Sequence, residues 1–243
     1  MNRILYEMLT FRRMNSITTI LLAHFVEREK NLKRIIDDLM EGTVKSDKII
    51  VFVDNLAIRF KDKRVTTIYS DTPFFPIIRF ALGTSCDTDY CFFLDDDLTV
   101  QKKTLENLVF YALRLPQKIL GFEGSMLGNT ETPYSNDIPI KRGFHEQPVP
   151  VDVIIRTYFV PTSSLMAGLL LRSMYPELPK ESLDDVFLCL GNKYINNKEN
   201  YVIPVGEETN LVELPDRGVG QSLNGEHYKN SDIVCRFLMN KYV

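Results

Sequence analysis

The chain has no Cys-x-x-Cys pair. Its four cysteines, Cys86, Cys91, Cys189 and Cys235, stand apart, which argues against a zinc site and reads instead as buried, reduced thiols. Tryptophan is absent, and histidine occurs only at His24, His145 and His227. There is no basic excess, since the formal net charge is −3. With no Lys/Arg tract either, no nucleic-acid partner is expected. No apolar run is long enough to span a bilayer, so no transmembrane segment is predicted. Arg12 and Arg13 interrupt the N-terminus before any apolar stretch, so no secretory signal is predicted and the expected location is cytoplasmic. Internal repeats and low-complexity tracts are lacking as well.

What remains is the composition of an ordinary globular protein, 44% hydrophobic and 25% charged over 243 residues, long enough for a sizeable core. The first sixteen residues carry Leu5, Met8, Leu9 and Met14 among arginines and read as a packed amphipathic helix. Strands are predicted at Thr18 to His24, Lys48 to Val53, Val65 to Tyr69, Tyr90 to Leu94 and Ile119 to Glu123. Helices are predicted at Glu29 to Met40, Phe74 to Gly83 and Lys103 to Leu115, the first ended by Gly42 and the last by Pro116. This alternation implies an α/β fold, a mostly parallel sheet with helices on both faces. Gly124 to Pro150 is rich in turn-forming residues and reads as a long functional or mobile loop. Val151 to Phe159 and Ser164 to Leu171 read as paired strands, and Ser182 to Leu190 opens a helix. From Tyr201 onward the chain reads as irregular, apart from a helix near Ile233 to Met239.

The most informative run is Cys91-Phe92-Phe93-Leu94-Asp95-Asp96-Asp97. A buried strand ends in three carboxylates, which must emerge at its carboxyl end, where ligands of open α/β sheets bind. Their mutual repulsion is best relieved by a divalent cation, which points to a metal-chelated diphosphate. Two chemistries fit. One is a nucleotide-sugar glycosyltransferase, whose Asp-x-Asp holds Mn2+ or Mg2+. The other is a haloacid-dehalogenase-type phosphatase with Asp95 as nucleophile, since Asp95 to Thr99 also satisfies Asp-x-Asp-x-Thr. Position favours the former, because the phosphatase strand comes first in its domain and this one follows two or three strand–helix units.

Ser182-Leu183-Asp184-Asp185 precedes an apolar helix. A capping box explains one acid and leaves the other for sugar hydroxyls. His227 lies in a polar segment and would complete an oxygen-rich metal site. Arg79 is placed to pair with phosphate, and Arg28 and Asn55 lie just past the first two strands, where a nucleotide cleft would form.

The order of these residues resembles a GT-A glycosyltransferase, and more narrowly the transferase domain of the exostosin family. The resemblance rests on Phe25-Val26-Glu27-Arg28 after the first strand, Asn55 after the second, Arg79, the Asp95–Asp97 run, Gly121-Phe122, Leu165-Met166-Ala167-Gly168 and Asp184-Asp185. It implies a single GT-A domain over 1–243, a three-layer α/β/α sandwich with a nucleotide-sugar-binding half at 17–123 and an acceptor-binding half at 124–243. It implies a UDP-sugar donor, a glycan or other hydroxyl acceptor, and transfer of a hexosyl or N-acetylhexosaminyl group with retention. Asp97 would bind Mn2+ or Mg2+ with Asp95 and His227. Phe25, Arg28, Asn55, Arg79, Asp95, Asp96, Gly168 and Lys229 would line the donor site, and Asp185 with Asp184 would act at the sugar. Two rivals are a sugar-1-phosphate nucleotidyltransferase, which needs a Gly-rich phosphate loop that Phe25 to Arg28 does not offer, and a catalytically silent binding module.

Overall fold

The computed structural model describes residues 16–74, 76–129, 131–143, 145–179, 183–215, 219 and 225–242. The helix expected in the first sixteen residues lies outside them, save for Ser16. Strand β1 (Ile17–Ala23) alternates its side chains between two cores. Leu21 and Ala23 join the cluster beneath helices α1 (Glu29–Glu41) and α3 (Thr104–Arg114), and Ile20 joins the cluster on the other face. Strand β4 (Tyr90–Leu94) does the same, with Phe92 and Leu94 to one side and Cys91 and Phe93 to the other. The second face is covered by α2 (Ile78–Thr84), α4 (Thr162–Met174), α5 (Asp184–Tyr194) and α6 (Gly225–Tyr242). A sheet apolar on both faces needs helices on both, so three layers follow from these runs.

The large sheet has the order β3-β2-β1-β4-β11-β6-β12-β9, in which β2 is Lys48–Val53, β3 Thr66–Tyr69, β6 Ile119–Gly121, β9 Val149–Val151, β11 Thr157–Pro161 and β12 Asn200–Val202. The β3-β2-β1-β4 block is parallel throughout, and β12 runs parallel to β6. Strand β11 lies antiparallel between β4 and β6, and β9 antiparallel to β12 at the edge. A small sheet joins β7 (Gly124–Met126), β8 (Ile138–Ile140) and β10 (Val153–Ile154), and a ribbon pairs β5 (Leu98–Val100) with β13 (Leu211–Glu213).

Several expectations are corrected here. Ser164 to Leu171 is not a strand but the middle of α4. A short run of Leu, Met and Ala does not distinguish strand from helix by periodicity. Packing decides it: Ser164, Leu165, Ala167, Gly168 and Leu171 are buried, while Met166, Leu170 and Met174 face out. Val151 to Phe159 is broken by Arg156, whose φ of 65° is left-handed, and β11 pairs with β4 and β6 rather than with a hairpin partner. The Gly124–Pro150 stretch is no plain loop, since it holds β7, β8 and the start of β9. The segment after Tyr201 carries β13 and a helix longer than expected. Ser182 lies outside the described residues; α5 starts at Asp184, after Leu183, which makes no side-chain capping bond. Among the described residues no helix is long and apolar enough to cross a membrane.

Candidate active site

The carboxylates Asp95, Asp96 and Asp97 form a tight turn between β4 and β5, closed by Leu98 N–H donating to Asp95 O at 3.2 Å. At the carboxyl end of the parallel block, this turn opens onto a cavity of ≈370 Å3, within the range of small-molecule sites. Among the residues around it are Phe25, Arg28, Arg79, Asp95, Asp96, Asp97, Asp184, Asp185 and His227. Thus most of the residues singled out in sequence lie around one space, drawn from both halves of the chain.

Each carboxylate of the turn is met by an arginine. Arg79 Nη1 donates to Asp95 Oδ1 at 2.6 Å and Arg28 Nη1 to Asp96 Oδ1 at 2.7 Å. Asp97 takes Arg156 Nη2 at 3.1 Å and lies 3.3 Å from Arg28 Nη1. The repulsion expected to call for a cation is therefore met by guanidinium groups. Burial still pushes the Asp96 carboxyl up to about 6, against the hydrogen bond from Arg28. Burial likewise raises Asp95, against Arg79.

Arg79 bridges two motifs. Its Nε donates to Asp184 Oδ2 at 2.9 Å while Nη1 holds Asp95, and its guanidinium lies 5.0 Å from the centre of the Tyr158 ring. Burial opposes its charge, but Asp184 and Asp95 keep it firmly protonated. Asp185 sits beside this pair at the first turn of α5. Its Oδ1 accepts Val186 N–H at 2.8 Å and its Oδ2 accepts the Tyr134 hydroxyl at 3.2 Å. Burial first, and then the charge of Asp184, push the Asp185 carboxyl up to about 7. Tyr134 is raised by burial and by Asp185, so it stays a phenol and a donor.

Three residues assigned to the donor site do not line this cavity. Gly168 faces α5, where an added Cβ would come within 2.9 Å of Leu188 Cα, so its position serves helix packing. Asn55 ties two strand ends together, its Nδ2 donating to His24 O at 2.9 Å and its Oδ1 accepting Ala57 N–H at 3.0 Å. Lys229 is exposed on α6.

Other residues come to the site without having been assigned to it. Arg156 emerges from what reads as strand, and only its left-handed backbone marks it. Tyr134 stands in the turn-rich segment because Asp232 of α6 accepts the N–H groups of Tyr134 and Ser135 at 2.8 and 2.9 Å. His24 lines the cavity and bonds through Nδ1 to Asp54 Oδ1 at 2.9 Å, and that bond raises its pKa above the ordinary histidine value against the effect of burial. A sequence run gave no sign of these long-range pairings.

Five carboxylates face three guanidinium groups around the cavity, a formal excess of two negative charges, with the imidazoles of His24 and His227 alongside. That donor set suits a hard divalent cation such as Mn2+ or Mg2+. Among the described residues, however, no three metal-binding side chains stand grouped around one ion's position.

A scan of protein-family models finds no match, and no curated protein matches. Among solved structures, the chain is similar to a crystal structure of GalNAc-T7 with UDP, GalNAc and Mn2+, at a TM-score of 0.69 and 9% identity, over 94% of this chain and 50% of that one. The fold is that of the GT-A glycosyltransferases. This chain spans about half the length of that protein, and at this identity the likeness is one of fold.

Proposed function

We propose that this chain is a metal-dependent glycosyltransferase that moves a sugar from a UDP-sugar to a hydroxyl of a glycan or another acceptor. The observation that carries the reading is the meeting of Asp95–Asp97, Arg79 and Asp184–Asp185 in one cavity at the carboxyl ends of GT-A strands. A GT-A sheet argues against the phosphatase reading of the same aspartates, and the bound UDP and Mn2+ of the GalNAc-T7 structure support the donor and metal assigned here.

Asp97, Asp95 and His227 would hold the cation. When bound, Mn2+ or Mg2+ supplies Lewis-acid neutralisation of the departing diphosphate. Arg79 adds a fixed positive charge on that side. Its buried, doubly paired guanidinium need not reorganise during the reaction, which is the condition for strong electrostatic stabilisation. Asp184 fixes Arg79, which leaves Asp185 as the acid that meets the sugar. There it accepts hydroxyl hydrogen bonds and stabilises positive charge developing on the ring. Retention of configuration is proposed on the exostosin-type order of motifs. Residues 17–123 supply the nucleotide side of the cavity. From 124–243 comes the exposed ring of Tyr228, an apolar surface of the kind that packs on sugars, with the buried Tyr134 ring packed beside it.

Thermal melts with UDP and a panel of nucleotide sugars, with and without Mn2+, test the proposal. A ligand that binds only the folded state at a hundred times its dissociation constant adds about 2.7 kcal/mol, or roughly 5–10 °C for a chain of this size. The rise is expected with UDP-sugars and Mn2+ together. No rise with any nucleotide sugar in either condition overturns the reading.

A further inference from the structure

The geometry points to Arg156 as a latch on the carboxylate assigned to the metal: its guanidinium bonds Asp97 Oδ1, and a divalent cation would compete with it there. The inference rests on the metal-dependent reading above and adds a regulatory element to that site.

Arg156 is held in an unusual way. Its φ is 65°, and Thr157 N–H donates to Ile155 O across it at 2.7 Å. That is the geometry of a strained γ-turn. Left-handed backbone on a long side chain costs free energy and is kept where the surroundings over-determine it, often at functional sites. The same residue's carbonyl accepts Asp95 N–H at 3.3 Å, so the turn is joined to the aspartate turn itself.

The guanidinium makes unequal bonds. It grips Glu213 with both ends, Nη1 to Oε1 at 3.0 Å and Nη2 to Oε2 at 2.8 Å. Its single bond to Asp97 Oδ1 is longer, at 3.1 Å. Glu213 is the firmer partner. It lies on β13 opposite Leu98, the residue after Asp97, and it also pairs with Arg142. Arg156 can therefore release Asp97 without losing its forked partner, so the latch opens at the cost of one partly exposed ion pair. Because Arg156 lines the cavity, the released guanidinium faces the space the diphosphate would fill. A cation and a guanidinium compete for Asp97, and a ligand shifts such an equilibrium only by its preference for one state. Cation entry would thus turn Arg156 from a blocking partner into a phosphate donor.

The test is a titration of the full chain with Mn2+ alone, followed by the electron paramagnetic resonance signal of free Mn2+. Arg156→Lys keeps the charge and meets the same backbone strain, but a point ammonium cannot fork across Glu213 and Asp97. It is expected to bind Mn2+ about twofold to fivefold more tightly than the wild type, the size of one partly exposed ion pair. Glu213→Gln frees Arg156 to close on Asp97 and should weaken Mn2+ binding. Affinity for Arg156→Lys equal to or below that of the wild type overturns the latch. So does tightening that appears with Arg156→Gln and not with Arg156→Lys, since that is a plain charge effect. Absence of Mn2+ binding by the wild type and every variant would instead remove the metal-dependent reading beneath it.

Discussion

Asp184 and Asp185 are neighbours in sequence with opposite surroundings. Asp184 faces Arg79, whereas Asp185 faces a tyrosine hydroxyl, a backbone N–H and the charge of Asp184. Its carboxyl, pushed up to about 7 in the fold, starts from an ordinary value of 3.8. Between those two pH values the folded chain keeps a proton that the unfolded chain loses, so this group costs stability as pH rises through the window and costs most above it. Asp185→Asn is therefore expected to stabilise the chain at pH 8 by about 1–3 kcal/mol, with the gain fading toward pH 4. Urea denaturation at the two pH values checks this, and an equal effect at both would refute it. The same variant should keep UDP binding and lose transfer by orders of magnitude. Asp184→Asn should act differently. It removes half of the countercharge of a buried guanidinium, a change that costs on the order of 3–5 kcal/mol, and should weaken both fold and nucleotide binding. If Asp184→Asn is stable and inactive while Asp185→Asn is active, the two roles are exchanged.

At the scale of elements, the contact between α4 and α5 sets where Asp185 stands. Gly168 and Gly191 face each other there. An added Cβ on Gly191 would lie 2.7 Å from Gly168 Cα, and one on Gly168 would lie 2.9 Å from Leu188 Cα. The obstructing atoms are backbone, which cannot rotate aside as a side chain can. Gly168→Ala gains up to about 1 kcal/mol of helix propensity and loses about 1–3 kcal/mol to overpacking, so net destabilisation is expected. Because the strain falls on the helix that begins at Asp184, transfer should decline at temperatures where the chain is still folded. A melting temperature at or above that of the wild type would show that α4 and α5 separate freely.

On the scale of the whole molecule, residues 17–123 and 124–243, proposed as the nucleotide and acceptor halves, share one sheet. Strand β11 comes from the second half and lies between β4 and β6 of the first, while β12 and β9 extend the sheet beyond β6. A fragment of residues 1–123 would keep β3-β2-β1-β4 and leave both β4 and β6 without their shared neighbour. It would also expose Phe93 and Phe80, which pack with Tyr158 and α4 in the second core. No cooperative thermal unfolding is expected from that fragment. A sharp transition would show that the nucleotide half folds on its own, and the proposal of one domain over 1–243 would fail.

The layers, and the strand end at which Asp95 to Asp97 emerge, were legible in the chain itself. Strands apolar on both faces, alternating with amphipathic helices, require a sheet covered on both sides, and three carboxylates after Leu94 can only emerge at a strand end. Those are local facts, carried by period and charge. The tertiary structure alone decided that Leu165 to Leu171 is helical, because a short apolar run takes its form from what packs against it, here α5 at Gly168. It also decided the partners of the aspartates. Arg28 reaches Asp96 across 68 positions and Arg156 reaches Asp97 across 59. No pattern along the chain records such pairings, because they depend on a strand order in which β11 returns to lie beside β4.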